Sequence, residues 1–150
     1  MKARFFYQWN HHEPVYGHAP YLLAHAVLVE PGRFDKDGFN IYLLSALMSD
    51  FSANRFGDLD TALEEVEKVQ TNQSDHFETG GQDFVHHITR SRVRFEHSVF
   101  GECPEWPIWC CTLSQYKAAL QGYRSFLDMP KSIDSELTVE LPDGKPEHCR

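Results

Sequence analysis

The segment Val93-Arg-Phe-Glu-His-Ser-Val-Phe100 alternates, with Val93, Phe95, His97 and Val99 on one side and Arg92, Arg94, Glu96 and Ser98 on the other. Successive side chains of a strand point to opposite faces, so this pattern calls for an antiparallel sheet with one dry face and one wet face. After Trp106-Pro-Ile-Trp-Cys-Cys111 the period changes: Leu113, Tyr116, Leu120, Tyr123 and Leu127 form the stripe of an amphipathic helix. Thr112 and Gln115 have the spacing of a capping box, and Pro130 supplies a stop. A one-sided strand followed by a one-sided helix must bury those sides against each other.

The remaining chain supplies matching parts. Residues 3 to 9 read as a strand, with Phe5, Tyr7 and Trp9 against Phe6 and Gln8. Residues 21 to 30 fit either a helical face or a strand, and Asp35-Lys-Asp-Gly38 reads as a turn. Asn40 to Phe51 reads as a buried helix, because Ile41, Leu44, Ala46, Leu47 and Met48 exceed a single stripe. Leu59 to Gln70 reads as another, with Thr61 and Glu64 as a capping box and Leu63, Val66 and Val69 as its apolar side. Thr71 to Gly81 is loop-like, Gln82 to Thr89 pairs with Ser91 to Phe100 in a hairpin, and Ser135 to Leu141 is a last strand. The expected fold is α+β: a single domain over residues 1–150, an antiparallel sheet with helices packed against it, and a frayed tail at 142–150.

The 150 residues suffice for one hydrophobic core, and 41% hydrophobic residues argue against disorder. A net charge of −8 repels phosphate backbones, so nucleic acid is not the expected partner. It suits a basic protein instead. No stretch approaches the ~20 apolar residues that span a bilayer, which predicts no membrane partner. The first ten residues lack the apolar run of a signal peptide. Cys103, Cys110, Cys111 and Cys149 lack the spacing of a disulfide framework, and Cys110 and Cys111 point to opposite faces of an extended segment. Reduced thiols and a cytoplasmic location are expected.

Chemistry-bearing patterns are few. His11, His12, His18 and His25 lie near Glu13, but no HExxH or CxxC motif accompanies them. His86 and His87, adjacent in a strand, point to opposite faces and are poor partners for one ion. Cys110 and Cys111 precede a helix, where a thiol pKa can fall, although a buried cysteine is the commoner outcome. Gly80-Gly81 lacks the Lys-Ser/Thr of a phosphate loop. Trp106 and Trp109 read as core plugs, with interface anchors as the alternative. The densest charge lies between residues 58 and 83, where Asp58, Asp60, Glu64, Glu65, Glu67, Asp75, Glu78 and Asp83 are opposed in sequence only by Lys68. Such a patch is either a solvated helix face with an acidic loop or a surface for docking against a basic cleft, and Arg90, Arg92 and Arg94 are candidates to pair with it internally.

From Ile88-Thr-Arg-Ser-Arg-Val-Arg-Phe-Glu-His-Ser-Val-Phe100 through Leu113-Ser-Gln-Tyr-Lys-Ala-Ala-Leu-Gln-Gly-Tyr-Arg-Ser-Phe-Leu127 and Met129-Pro130, the chain resembles the small immunity proteins of bacterial contact-dependent growth inhibition and related toxin systems. The resemblance covers about residues 80 to 141: a hairpin, a Trp, a helix with a central aromatic, and Phe-Leu near its end. It implies a non-catalytic antitoxin, without cofactor or metal, that binds a cognate toxin C-terminal domain, often a nuclease, and blocks its active site. It carries over no binding residue. The acidic 58 to 83 segment is the expected interface on charge alone. Two alternatives stand beside it: a histidine-dependent metal hydrolase using His11, His12, His18 and Glu13, and an adaptor for another basic protein.

Overall fold

The structure is a computed structural model that describes residues 1–10, 20–29, 36–51 and 56–149. In chain order its strands are β1 (Lys2–Asn10), β2 (Tyr21–Leu28), β3 (His76–Gly80), β4 (Phe84–Thr89), β5 (Val93–His97), β6 (Trp109–Cys111) and β7 (Glu136–Glu140). The helices are α1 (Lys36–Gly38), which runs through a π-helical segment Phe39–Leu44 into α2 (Ser45–Asp50), then α3 (Phe56–Gln70) and α4 (Leu113–Leu127). The α+β class is as expected, with the strands divided between two antiparallel sheets ordered β2-β1-β7 and β3-β4-β5-β6.

The first sheet joins distant parts of the chain. Phe5 of β1 stands opposite Ala26 of β2 and Leu137 of β7, and the ladder continues where Leu141 N–H donates to the Met1 carbonyl at 2.7 Å. The ambiguous segment at 21 to 30 is therefore a strand, because β1 offers it a ladder. α4 lies against this sheet through Phe5–Tyr123 and Tyr7–Phe126 ring contacts, with centroids 6.1 and 4.7 Å apart. Gly122 permits the approach: a Cβ there would lie 2.9 Å from Val139 Cγ2. At its other end α4 meets the second sheet, where the Tyr116 ring sits 6.1 Å from Phe95. One helix thus joins both sheets in a single core.

The capping box at α4 forms as expected. Thr112 N–H donates to Gln115 Oε1 at 2.9 Å and Gln115 N–H donates back to Thr112 Oγ1 at 3.1 Å. The other expected box does not form. α3 already begins at Phe56, which leaves Thr61 in its interior. Its far end closes through Asn72 in the left-handed region (φ 65°), with Gln73 N–H donating to the Lys68 carbonyl and Asn72 N–H to that of Val69.

Four other expectations are corrected. The turn expected at 35–38 lies partly outside the described residues, and Lys36–Gly38 is helical. Ile41, expected in the core, is 47% exposed, because the wider π-helical turn presents Phe39, Tyr42, Leu43 and Leu44 inward instead. The loop expected at 71 to 81 contains β3, an edge strand whose pairing with β4 supplies what its own weakly apolar sequence does not. The tail is not frayed. Gln115, itself buried, donates from Nε2 to the carbonyls of Pro142 (3.0 Å) and Gly144 (3.1 Å), and a Cys110–Cys149 disulfide holds the end.

Candidate functional site

The second sheet sorts its side chains as strand alternation requires. Phe84, His86, Ile88, Val93, Phe95 and Cys111 face the core. On the outer face one cross-strand row runs Glu78, His87, Arg94, Cys110. Val99, expected on the inner face, is 74% exposed because β5 ends at His97, whose Nδ1 accepts from the N–H groups of Val99 and Phe100 and turns the chain.

The inner face holds a closed polar network. His86 Nδ1 lies 2.8 Å from Tyr116 Oη, and His86 Nε2 lies 2.8 Å from Asp50 Oδ2. The other Asp50 oxygen accepts from the Asp83 N–H at 3.0 Å. Gly81 is what lets the β3–β4 turn come so close to the end of α2, since a Cβ there would lie 2.7 Å from Asp50 Cα. All three side chains are at most 1% exposed. Burial, with the Cys111 and Asp50 charges adding to it, drives the Tyr116 hydroxyl well above its ordinary pKa. Asp-His-Tyr is an acid–base set, but in this conformation it reaches no solvent and therefore no substrate. Its work is structural: buried polar groups that satisfy one another define which packing of the core is allowed.

Sequence reading placed His86 and His87 on opposite faces but missed this network. The available signal was a histidine at an apolar position of an alternating strand. Its partners are 36 residues before and 30 after it, a separation that no local pattern reports.

The eight acids are not one site. Asp60, Glu64 and Glu67 share the solvent side of α3, opposite its buried Leu59, Ala62, Val66 and Val69. Two of these are compensated from α4, which the sequence did not reveal: Arg124 Nε lies 2.9 Å from Asp60 Oδ1 and Lys117 Nζ 2.6 Å from Glu67 Oε2. The Arg124 guanidinium is held even more firmly protonated by its hydrogen bond to Asp128. Glu65 pairs with Lys68 at 3.1 Å. Glu78 lies on the outer face of the second sheet, 3.3 Å from His87, and Asp83 is half-buried in the turn that holds Asp50. Asp58 is exposed on α3. Among the described residues Glu64 and Asp75 are exposed and form no ion pair. The arginines do not answer these acids. Arg94 lies 3.8 Å from Glu96, and the buried Arg92 Nε has no partner.

The cysteines divide by face. Cys110 is on the outer side, bonded to Cys149, which corrects the expectation of four reduced thiols. Cys111 is fully buried, and burial pushes its thiol pKa up, the reverse of activation at a helix N-terminus. Trp106 and Trp109 are half-buried core plugs: Trp109 stacks 5.5 Å from Tyr42, and Trp106 lies 5.7 Å from Phe84. Tyr42 Oη donates to the Pro107 carbonyl between them. His11, His12, Glu13 and His18 lie outside the described residues, and His25 stacks on Phe6 at 5.5 Å. Among the described residues no three His, Cys, Asp or Glu side chains converge to hold a metal, and no helix is long and apolar enough to cross a membrane.

No family profile, curated protein or solved structure matches the chain.

Proposed function

We propose that this is a non-catalytic immunity protein that binds a toxin domain through the acidic side of α3 and the turn after it. The observation that supports the reading is that, among the described residues, Glu64 stands exposed and without an ion pair on the side of α3 that carries Asp60 and Glu67, with Asp75 likewise exposed in the turn after the helix, in a chain of net charge −8. Fields of this sign attract a basic nuclease-like partner and speed its docking. Asp60 and Glu67 serve differently: their pairing with Arg124 and Lys117 fixes α3 on α4, so the acidic side is presented on a rigid support. The resemblance of the hairpin and α4 to immunity proteins favours a toxin as that partner over another basic protein.

The test is co-expression with a candidate toxin domain encoded beside this chain. Rescue of growth and a stable complex support immunity. In that complex Glu64→Lys with Asp75→Lys weakens binding and flattens its salt dependence. Rescue with an unchanged salt slope moves the interface elsewhere, and a toxin that stays lethal without binding ends the immunity reading.

A further inference from the structure

The open edge of β2 has a defined hydrogen-bonding pattern. Val29 N–H donates to the Lys2 carbonyl, which sets the register: Val27, His25 and Leu23 exchange their backbone bonds with β1, whereas Leu22, Ala24, Ala26 and Leu28 point theirs away from it. Leu28 confirms this, for its N–H is taken by Asn40 Oδ1 at 2.8 Å. Beyond Leu28, the outward N–H and C=O groups of Ala26, Ala24 and Leu22 find no partner among the described residues. They do not face open water alone. They form one side of a groove of about 600 Å³, bounded by Met48 and Ser49 of α2, Tyr123 and Leu127 of α4, and Lys131.

We propose that this groove takes a single extended peptide segment as a fourth strand of the first sheet. Three features define the occupant. Outward donors and acceptors recurring every second residue match an extended backbone and nothing more compact. The run from Leu22 to Val27 is about 20 Å long at ~3.3 Å per residue, the reach of a six-residue strand. Ala24 and Ala26, both small, let alternate apolar side chains of the guest lie against Tyr123, Leu127 and Met48. Charge sets the fourth requirement. Among the described residues the groove is lined by Lys131 and His25 and by no carboxylate, although the chain as a whole is strongly acidic. Lys131 has no ion pair among the described residues. The guest therefore carries a carboxylate. A second copy of this chain, paired edge to edge through β2, is the competing occupant, and the dimerisation outcome of the test below reports it. This site is separate from the acidic side of α3 and does not rest on the immunity reading.

The test uses the intact protein and a synthetic library of acetylated hexapeptides with alternating apolar residues and one Glu. Hydrogen exchange of the free protein comes first: the Ala24 and Ala26 amides exchange rapidly while those of Leu23, His25 and Val27 are protected. Selected binders are then N-methylated one amide at a time. Methylation at alternate positions weakens binding by about tenfold each, the loss of roughly one hydrogen bond, and the intervening positions tolerate it. Ala24→Pro, which removes an outward N–H without touching the β1 ladder, also abolishes binding. The methyl scan needs no variant, so a misfolded Ala24→Pro does not spoil the test. Slow exchange at Ala24 and Ala26 in the free monomer overturns the proposal. So do protection that appears only with dimerisation, absence of any binder at millimolar peptide, or a methyl scan without alternation.

Discussion

His86 and His87 are adjacent on β4, yet they occupy different physical worlds. His86 is enclosed by Asp50 and Tyr116, each at 2.8 Å. His87 sits on the outer face between Glu78 at 3.3 Å and Glu96 at 3.6 Å, all three in contact with solvent. Both have carboxylate neighbours, so composition does not distinguish them. Dielectric does: an interaction that water screens on the outside becomes, inside, a bond whose loss leaves a buried group with nothing to replace it. The lesson extends to the cysteines, where Cys111 is an inert core residue and its neighbour Cys110 anchors the tail on the outer face. Surface contacts and core packing are thus built from the same residue types, one position apart.

The sharpest way to break this contrast is Asp50→Ala. It strips His86 Nε2 and the Asp83 N–H of their acceptor at once, and should destabilise the fold by about 3 kcal/mol or more. His87→Ala should stay within about 0.5 kcal/mol. Urea unfolding of both variants checks this, and equal effects would refute the division between faces. On the outer side, Cys149→Ser, or reduction of the oxidised protein, should remove about 2–4 kcal/mol by freeing the tail from β6. Thiol titration in denaturant before and after reduction establishes that the pair was bonded.

Alkaline titration sharpens the comparison further. The Tyr116 hydroxyl is raised well above its usual value and that of Tyr123 to about 12, both chiefly by burial. The unfolded chain loses these protons near pH 10, before the folded one does. Their contribution is therefore fully present below about pH 10 and fades as pH climbs towards the folded values. Tyr116→Phe should lower stability at neutral pH by about 1–2 kcal/mol, because His86 Nδ1 loses its partner, yet flatten the alkaline decline. Stability measured from pH 8 to 11 reads both. The smallest effect belongs to the surface: Glu67→Gln breaks the Lys117 pair and should change stability by under about 1 kcal/mol, shrinking with salt.

Much of the fold was readable because local chemistry and tertiary demand agree. Thr112 and Gln115 announced the start of α4, its stripe is buried at Leu113, Tyr116, Leu120 and Tyr123 and half-buried at Leu127, and the alternation in β5 placed Val93 and Phe95 on its inner face. Failures fell where the deciding partner is far away. β3 has only Phe77 to recommend it as a strand and is made one by β4. The same holds for β2, which local pattern left undecided until β1 claimed it. The acidic run was read from neighbours in sequence, which contain Lys68 but neither Arg124 nor Lys117, and so its charge was overstated.

The sequence by itself determined the α+β class, the buried sides of α4 and of β5 as far as Phe95, and the acidity of the chain, since these follow from side-chain period and charge. Tertiary structure alone decided that the strands split into two sheets, that Asp50, His86 and Tyr116 close a network, that the tail is tied to β6, and that β2 has, among the described residues, an unpaired edge beside a groove. The physical reason is range. Periodicity and capping act within a few residues, whereas ladder pairing and buried hydrogen bonds join groups tens of residues apart, and only the folded chain brings them within reach.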